Sequence, residues 1–318
     1  PFSLKNLSDY SVSSSLLHPI DTSSKDSNHP HEHRYWFRFA LHKQPAFMSE
    51  SKQHSHIEAA TLQQQTIDKE IQAQSATGNV ENPSILLQEY KNNPSFLPKI
   101  QQLCVKYTGI RRSRGDGNCF YRSVAFQVLN YLRQKSTLEE VELHLLQHKA
   151  VLDGLLTWGY ERFAIEDFYE QFVDNARELH GKSIATLEAL FQTQVELYLV
   201  YWVRLITSFA IQSKAETFLP FIIALGHNDA KTFCQSQVEP AKVDADQLPI
   251  QALAEFMHWF TVVEYLDQSE GPLNCHEFGT KGTNEAASSH PTILVLYRPG
   301  KWVCSGGWFK RVVVLSRN

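Results

Sequence analysis

Arg114-Gly115-Asp116-Gly117-Asn118-Cys119-Phe120-Tyr121-Arg122-Ser123 is the stretch from which the rest of the chain is read. Two glycines and an Asp-Gly step predict a tight loop in which positive backbone dihedrals are accessible. Behind it Phe120, Val124 and Val128 lie four apart, with Ala125, Leu129 and Leu132 beside them, so an apolar helix starts at about Cys119. A thiol at that place sits at the positive end of the helix dipole, which favours thiolate and lowers the thiol pKa. Backbone N–H groups of Gly117, Asn118 and Cys119 are then candidates for an oxyanion hole. On residues alone a second reading stands beside this one: cysteine at a helix start is also a common small apolar core residue.

Outward from the motif, helical spacing dominates as far as Ile211. Leu138, Val141, Leu145 and Leu152 predict one helix, and Ile184, Leu187, Leu190 and Phe191 another. Val200 to Ile211 continues the apolar faces. On the N-terminal side, Asn82-Pro83-Ser84 marks a helix start before Leu86, Leu87 and Tyr90, and Pro94 and Pro98 break that pattern. The C-terminal third differs. Phe260 to Leu266 and Thr292 to Tyr297 are β-branched and aromatic and read as strands, while 271–274 and 279–289 read as loops. A helical lobe followed by a strand-rich lobe predicts an α+β domain with a site between the lobes.

Several blocks together resemble the otubains, cysteine proteases of the ovarian-tumour (OTU) class. Gly115 to Ser123 is similar to that family's nucleophile motif, and Tyr107-Thr-Gly-Ile-Arg-Arg112 to its lead-in. Val238-Glu239-Pro240, Val263-Glu264-Tyr265-Leu266-Asp267, Asn274-Cys275-His276-Glu277-Phe278 and Leu294-Val295-Leu296-Tyr297-Arg298-Pro299-Gly300 resemble further blocks in the same order, over roughly residues 80–300. The resemblance implies a papain-like OTU cysteine protease fold. It also implies a deubiquitinase that attacks the isopeptide carbonyl at ubiquitin's C-terminal glycine by thiol acyl transfer. Cys119 would be the nucleophile, and Asp116 would shape the loop and oxyanion region. No cofactor or metal is implied. The implied partners are ubiquitin or polyubiquitin and a ubiquitin-conjugating enzyme, and the implied location is the cytoplasm, with the nucleus as a second.

The same resemblance stops at Gly300, where a histidine, an aromatic residue and an aspartate are expected. Here the chain reads Lys301-Trp302-Val303-Cys304-Ser305-Gly306-Gly307, and no histidine, aspartate or glutamate occurs from Lys301 to Asn318. His290 precedes the Thr292–Tyr297 strand instead of following it, His276 matches a block with no assigned catalytic role, and His258 lies in the apolar run Phe256 to Phe260. Gly-Lys-Trp can be encoded as GGTAAGTGG, which contains GTAAGT, the usual start of an intron. Residues 301–318 are therefore expected to be an aberrant tail of translated intron, with a divergent natural C-terminus as the other reading. Two functions follow: a deubiquitinase impaired in this chain, or an inactive ubiquitin- or conjugating-enzyme-binding pseudoenzyme. A helical scaffold unrelated to ubiquitin requires the resemblance to be accidental.

Before the motif, residues 1–47 are rich in serine, histidine and asparagine without apolar period and are expected to be disordered or non-native, with Met48 an ordinary start. His29, His31 and His33 read as a solvated polar tail. Residues 48–79 are polar and Gln-rich, with a helix as one reading. The net charge of −4 argues against a dedicated nucleic-acid binder. Five cysteines without a CxxC pair argue against a disulfide framework or zinc ribbon. The most apolar stretch, Val195 to Ile211, is interrupted by Glu196 and Arg204, so no membrane span is expected.

Overall fold

A computed structural model describes residues 69, 71–279, 290–304 and 307–316. The expectations for residues 1–47, including His29, His31 and His33, and for the loop at 280–289 lie outside the described residues. Strands β1 (Thr77–Glu81), β2 (Gly109–Ser113), β3 (Phe260–Tyr265), β4 (Asn274–Phe278), β5 (Thr292–Cys304) and β6 (Gly307–Ser316) form one sheet in the order β1-β2-β6-β5-β3-β4. All neighbours are antiparallel except β3 and β5, which run parallel with Phe260 opposite Thr292 and Tyr265 opposite Tyr297.

Strand alternation divides the core into two layers. Val263, Ile293, Val295 and Tyr297 point into a large helical lobe. That lobe is made by α3 (Cys119–Arg133), α4 (Leu138–Thr157), α5 (Arg162–Leu179), α6 (Ile184–Leu190), α7 (Val195–Ser213) and α10 (Gln247–Met257). Val262, Leu294, Leu296, Val313 and Leu315 face the other way, onto α1 (Ile85–Glu89) and α2 (Leu97–Lys106). A third cluster joins α7 to α8 (Ala215–Ala224) and α9 (Ala230–Gln237). The predicted α+β class and the helices at Cys119, Leu138, Ile184 and Val200 to Ile211 are thus present.

Local chemistry explains the boundaries. Thr137 and Glu140 close α4 with a reciprocal capping box, the arrangement that satisfies two orphan N–H groups at once. The Leu86–Tyr90 pattern breaks before the prolines as expected: α1 ends at Glu89, Pro94 opens a 3-10 turn, and Pro98 lies in the first turn of a new helix, α2. Proline is tolerated there because that N–H has no intrahelical partner. Glu196 and Arg204, the charges that break the apolar run in α7, are both buried, and among the described residues no helix is long and apolar enough to cross a membrane.

Two expectations need correction. Asn274–Phe278 is an edge strand, not only the end of a loop. More consequentially, residues 301–318 were expected to lie outside the domain as an aberrant tail, with no strand left after Gly300. The structure continues β5 to Cys304 and places β6 in the middle of the sheet, between β2 and β5. Its Val312-Val313-Val314-Leu315 run has strong β preference, and Val313, Val314 and Leu315 are buried. Each fully buried aliphatic side chain contributes about 1.5–3 kcal/mol, so this strand is part of the core whatever its coding origin.

Candidate active site

Cys119 is the first residue of α3 and is buried, in the same core cluster as Tyr297. Ahead of it the Gly-Asp-Gly turn is held by charge. The Asp116 carboxylate accepts from Arg122 through both oxygens, at 2.9 and 2.6 Å, and from Arg114 Nε at 3.0 Å. Burial alone would raise the Asp116 carboxyl, but the hydrogen bonds and charges of Arg122 and then Arg114 outweigh it and hold its pKa below the ordinary value. Arg122 is fully enclosed, pairs also with Glu196 and donates to the Arg114 carbonyl at 2.9 Å. Asp116 therefore acts as a fixed anion that shapes the loop.

A second guanidinium clamps the loop from the other side. Arg204, buried in α7, donates to Gly117 O at 2.9 Å, Asn118 Oδ1 at 2.7 Å, Val238 O at 2.8 Å and Val243 O at 2.9 Å. It also lies 4.0 Å from the centroid of the Tyr121 ring. Asn118 Oδ1 further accepts from Lys242 N at 3.1 Å. The loop before α10 is thereby pressed on the nucleophile turn. Gly117 has φ +78°, and a Cβ there would lie 2.1 Å from Lys242 O, so both conformation and space demand glycine.

Of the three residues expected to offer oxyanion donors, Asn118 is otherwise engaged. Its N–H donates to Asp116 Oδ1 at 3.0 Å, a local turn that the short aspartate side chain makes readily. Its carbonyl accepts from Arg122 N at 2.9 Å as the first helical bond. Gly117 and Cys119 keep their places in the turn.

The neighbour that sequence patterning missed is Asp244. Cys119 Sγ lies 3.8 Å from its Oδ1, with thiol as donor and carboxylate as acceptor. Beside them, Tyr297 O–H donates to Ala245 O at 3.3 Å, and burial, then the nearness of Cys119, raises this phenol well above its ordinary pKa. The signal for Arg204 and Glu196 was in plain view, since charges inside an apolar helix must be paired or hydrogen-bonded when buried. Asp244 carried no such signal, because it lies on a polar loop.

The three dismissed histidines lie in two places. His258 and His290 stand before β3 and β5, with ring centroids 5.7 Å apart and His144 5.9 Å from His290. Tyr297 is seven residues further along the strand than His290, about 23 Å at about 3.3 Å per residue. His276 is exposed on β4, opposite Val263, with its ring 5.0 Å from that of Tyr265, which separates it from Tyr297. In β6 the positions paired with Tyr297, Arg298 and Pro299 are Val312, Arg311 and Lys310, none of them an imidazole or a carboxylate. Among the described residues no group of three or more histidine, cysteine, aspartate or glutamate side chains is arranged to hold a metal ion.

Comparison with known proteins agrees with this architecture. The family model described as Peptidase C65 Otubain matches residues 48–302. The human "Ubiquitin thioesterase OTUB1" is 35% identical over 253 residues, covering 78% of this chain and 89% of that protein. An Arabidopsis thaliana "OVARIAN TUMOR DOMAIN-containing deubiquitinating enzyme 1" is 35% identical over 71% of this chain and 78% of its own length. Among solved structures, a complex of ceOTUB1 with ubiquitin aldehyde and UBC13~Ub superposes with a TM-score of 0.68 at 25% identity, covering 80% of this chain and 99% of that one. A further complex, of h/ceOTUB1 with ubiquitin aldehyde and UBCH5B~Ub, gives 0.68 at 25% identity over 83% and 99%.

Proposed function

Because the chain belongs to the otubain family of C65 peptidases, cysteine-type deubiquitinases by descent, we propose that it binds ubiquitin and ubiquitin-charged conjugating enzyme, and that Cys119 is its nucleophile. Asp116 and Arg122 fix the turn, and Gly117 and Cys119 N–H groups receive the oxyanion. The reaction is attack of the Cys119 sulfur on the carbonyl of ubiquitin's C-terminal glycine, loss of the amine and hydrolysis of the thioester.

Turnover in this chain is impaired. The observation that carries this is the register of β6, which sets Lys310, Arg311 and Val312 beside the end of β5 where a base is needed. Isopeptide cleavage requires a group that takes the thiol proton and returns one to the departing lysine amine, the role of an imidazole, and none of these three residues is a histidine. Removing one member of a coupled catalytic set costs roughly 10⁴ to 10⁶ in rate in a serine protease. The same observation favours the second reading, a protein that binds ubiquitin conjugates without turning them over. A cytoplasmic place of action, extending to the nucleus, belongs to this proposal.

Two measurements test it. A ubiquitin bearing a C-terminal electrophile labels Cys119 slowly while di-ubiquitin stays intact, and replacing residues from Lys301 onward with a strand beginning His-Tyr-Asp restores cleavage that Cys119→Ala again abolishes. Cleavage of di-ubiquitin by the unaltered chain at ordinary deubiquitinase rates refutes the impairment. Absence of ubiquitin binding up to millimolar concentration refutes the ubiquitin reading itself.

A further inference from the structure

A second cysteine outside the active site has a neighbourhood of its own. Cys275 lies exposed on edge strand β4, directly opposite Glu264 of β3, and directly opposed side chains start about 5 Å apart. Lys106, the last residue of α2, brings Nζ to 4.0 Å from Cys275 Sγ and also donates to Glu264. Glu264 is fully buried, and its Oε1 accepts from Lys106 and from Tyr107 O–H at 2.6 Å. The other oxygen, Oε2, is buried with no hydrogen-bond partner. The Glu264 carboxylate interacts with the Cys275 thiol, so amine, thiol and an unsatisfied carboxylate oxygen share one small space. The oxygen already bonded to Lys106, Oε1, is the one placed to receive its proton.

We propose that Lys106 and Cys275 form a reversible covalent cross-link, a sulfenamide, when the chain meets hydrogen peroxide. In the first step Cys275–SH and H2O2 give Cys275–SOH and water, so sulfur is oxidised by two electrons and the peroxide is reduced. Glu264 then takes a proton from the Lys106 ammonium. The freed amine lone pair attacks the sulfenyl sulfur, an N–S bond forms, and the hydroxyl leaves with an amine proton as a second water. The product is two hydrogens lighter than the reduced chain. Two equivalents of an added thiol return Cys275–SH and the Lys106 amine and yield one disulfide.

Geometry permits the step. The Lys106 side chain is 40% exposed and flexible, so it can close the remaining gap without moving α2. Competing chemistry is held back, because Cys104 packs against the core layer formed by α1, α2 and the sheet. Burial and then the Glu264 carboxylate push the Cys275 thiol up, with Lys106 opposing them. The first step is therefore slower at neutral pH than in mildly alkaline buffer. The cross-link ties α2 to the outer edge of the sheet.

The test is peptide mapping of the full chain after peroxide treatment, with and without a thiol reductant. Trypsin does not cut at a modified Lys106, so the expected product is a peptide spanning Lys106 joined to the Cys275 peptide, lost on reduction. Lys106→Arg retains the cation beside Glu264 but has no amine able to form the bond, and Cys275→Ser removes the sulfur; both are expected to lose the cross-link. Two results overturn the proposal: Cys275 passing to sulfinic acid while Lys106 remains cleavable, or a Cys104–Cys275 disulfide with normal cleavage at Lys106.

Discussion

Asp244→Asn removes the anion that faces the nucleophile and leaves a side chain of the same shape. Two unit negative charges 3.8 Å apart repel by about 1 kcal/mol with full water screening and about 4 kcal/mol at the screening typical near a protein surface. The half-buried position of Asp244 lies between these limits. At about 1.4 kcal/mol per factor of ten, thiolate becomes roughly 5 to 1,000 times more accessible in the variant. A more acidic thiol is also a poorer nucleophile, with a Brønsted coefficient of about 0.4–0.5, so only about half of that gain, on a logarithmic scale, reaches the rate. Alkylation of Cys119 by a small haloacetamide, followed by intact mass across a pH series, should therefore accelerate by about 2- to 40-fold at neutral pH, with its midpoint moved to lower pH. A midpoint that stays in place or moves upward shows that the carboxylate does not hold the resting thiol protonated, and removes Asp244 from the account of the site.

Other perturbations separate the loop from the chemistry. Arg122→Met removes the enclosed cation between the Asp116 and Glu196 carboxylates and leaves them only the partly exposed Arg114, 3.0 and 3.6 Å away. It should cost about 3–5 kcal/mol in denaturant melts, the usual loss when one partner of a buried pair is removed. Gly117→Ala must accommodate φ +78° and a contact at 2.1 Å; it should lower the melting temperature and slow electrophile labelling, because the loop before α10 has to shift. His148 is buried and neutral, accepts from Trp202 Nε1 at 2.9 Å, and is held by burial to about 3. With the folded pKa below the unfolded value of about 6.5, the unfolded state binds the extra proton and stability falls as pH drops through that window. Urea melts at pH 5 should lie about 2 kcal/mol below those at pH 7 from this group, a slope that His148→Gln should flatten.

Where periodicity was long and regular, local patterning and tertiary structure agree: α3, α4 and α7 stand where apolar spacing put them. Positioning of Cys119 at a helix start was legible for the same reason, since the turn glycines and the apolar face converge on one boundary. Three features were not legible. The Asn118 N–H was counted as an oxyanion donor, but Asp116 is two residues away and captures it. Strand β6 lies beyond the point where the family resemblance stops, although Val312 to Leu315 carries an ordinary strand signature. Asp244 and Cys119 are 125 residues apart, and contacts of that range follow from loop placement, which no local pattern encodes.

The position of β6 also bears on how the nascent chain closes. The strand made last among those described is the one that joins β1-β2 to the β5-β3-β4 half of the sheet. Its pairing of Gly109 with Ser316 spans about two hundred residues, a contact order associated with slow folding. Until Gly307 to Ser316 leaves the ribosome, β2 and β5 each present an unpaired edge, and exposed edges invite pairing with other chains. A polypeptide released before this point would keep an intact Gly-Asp-Gly turn and helix α3 yet have a divided sheet, so its hazard is aggregation as much as lost activity.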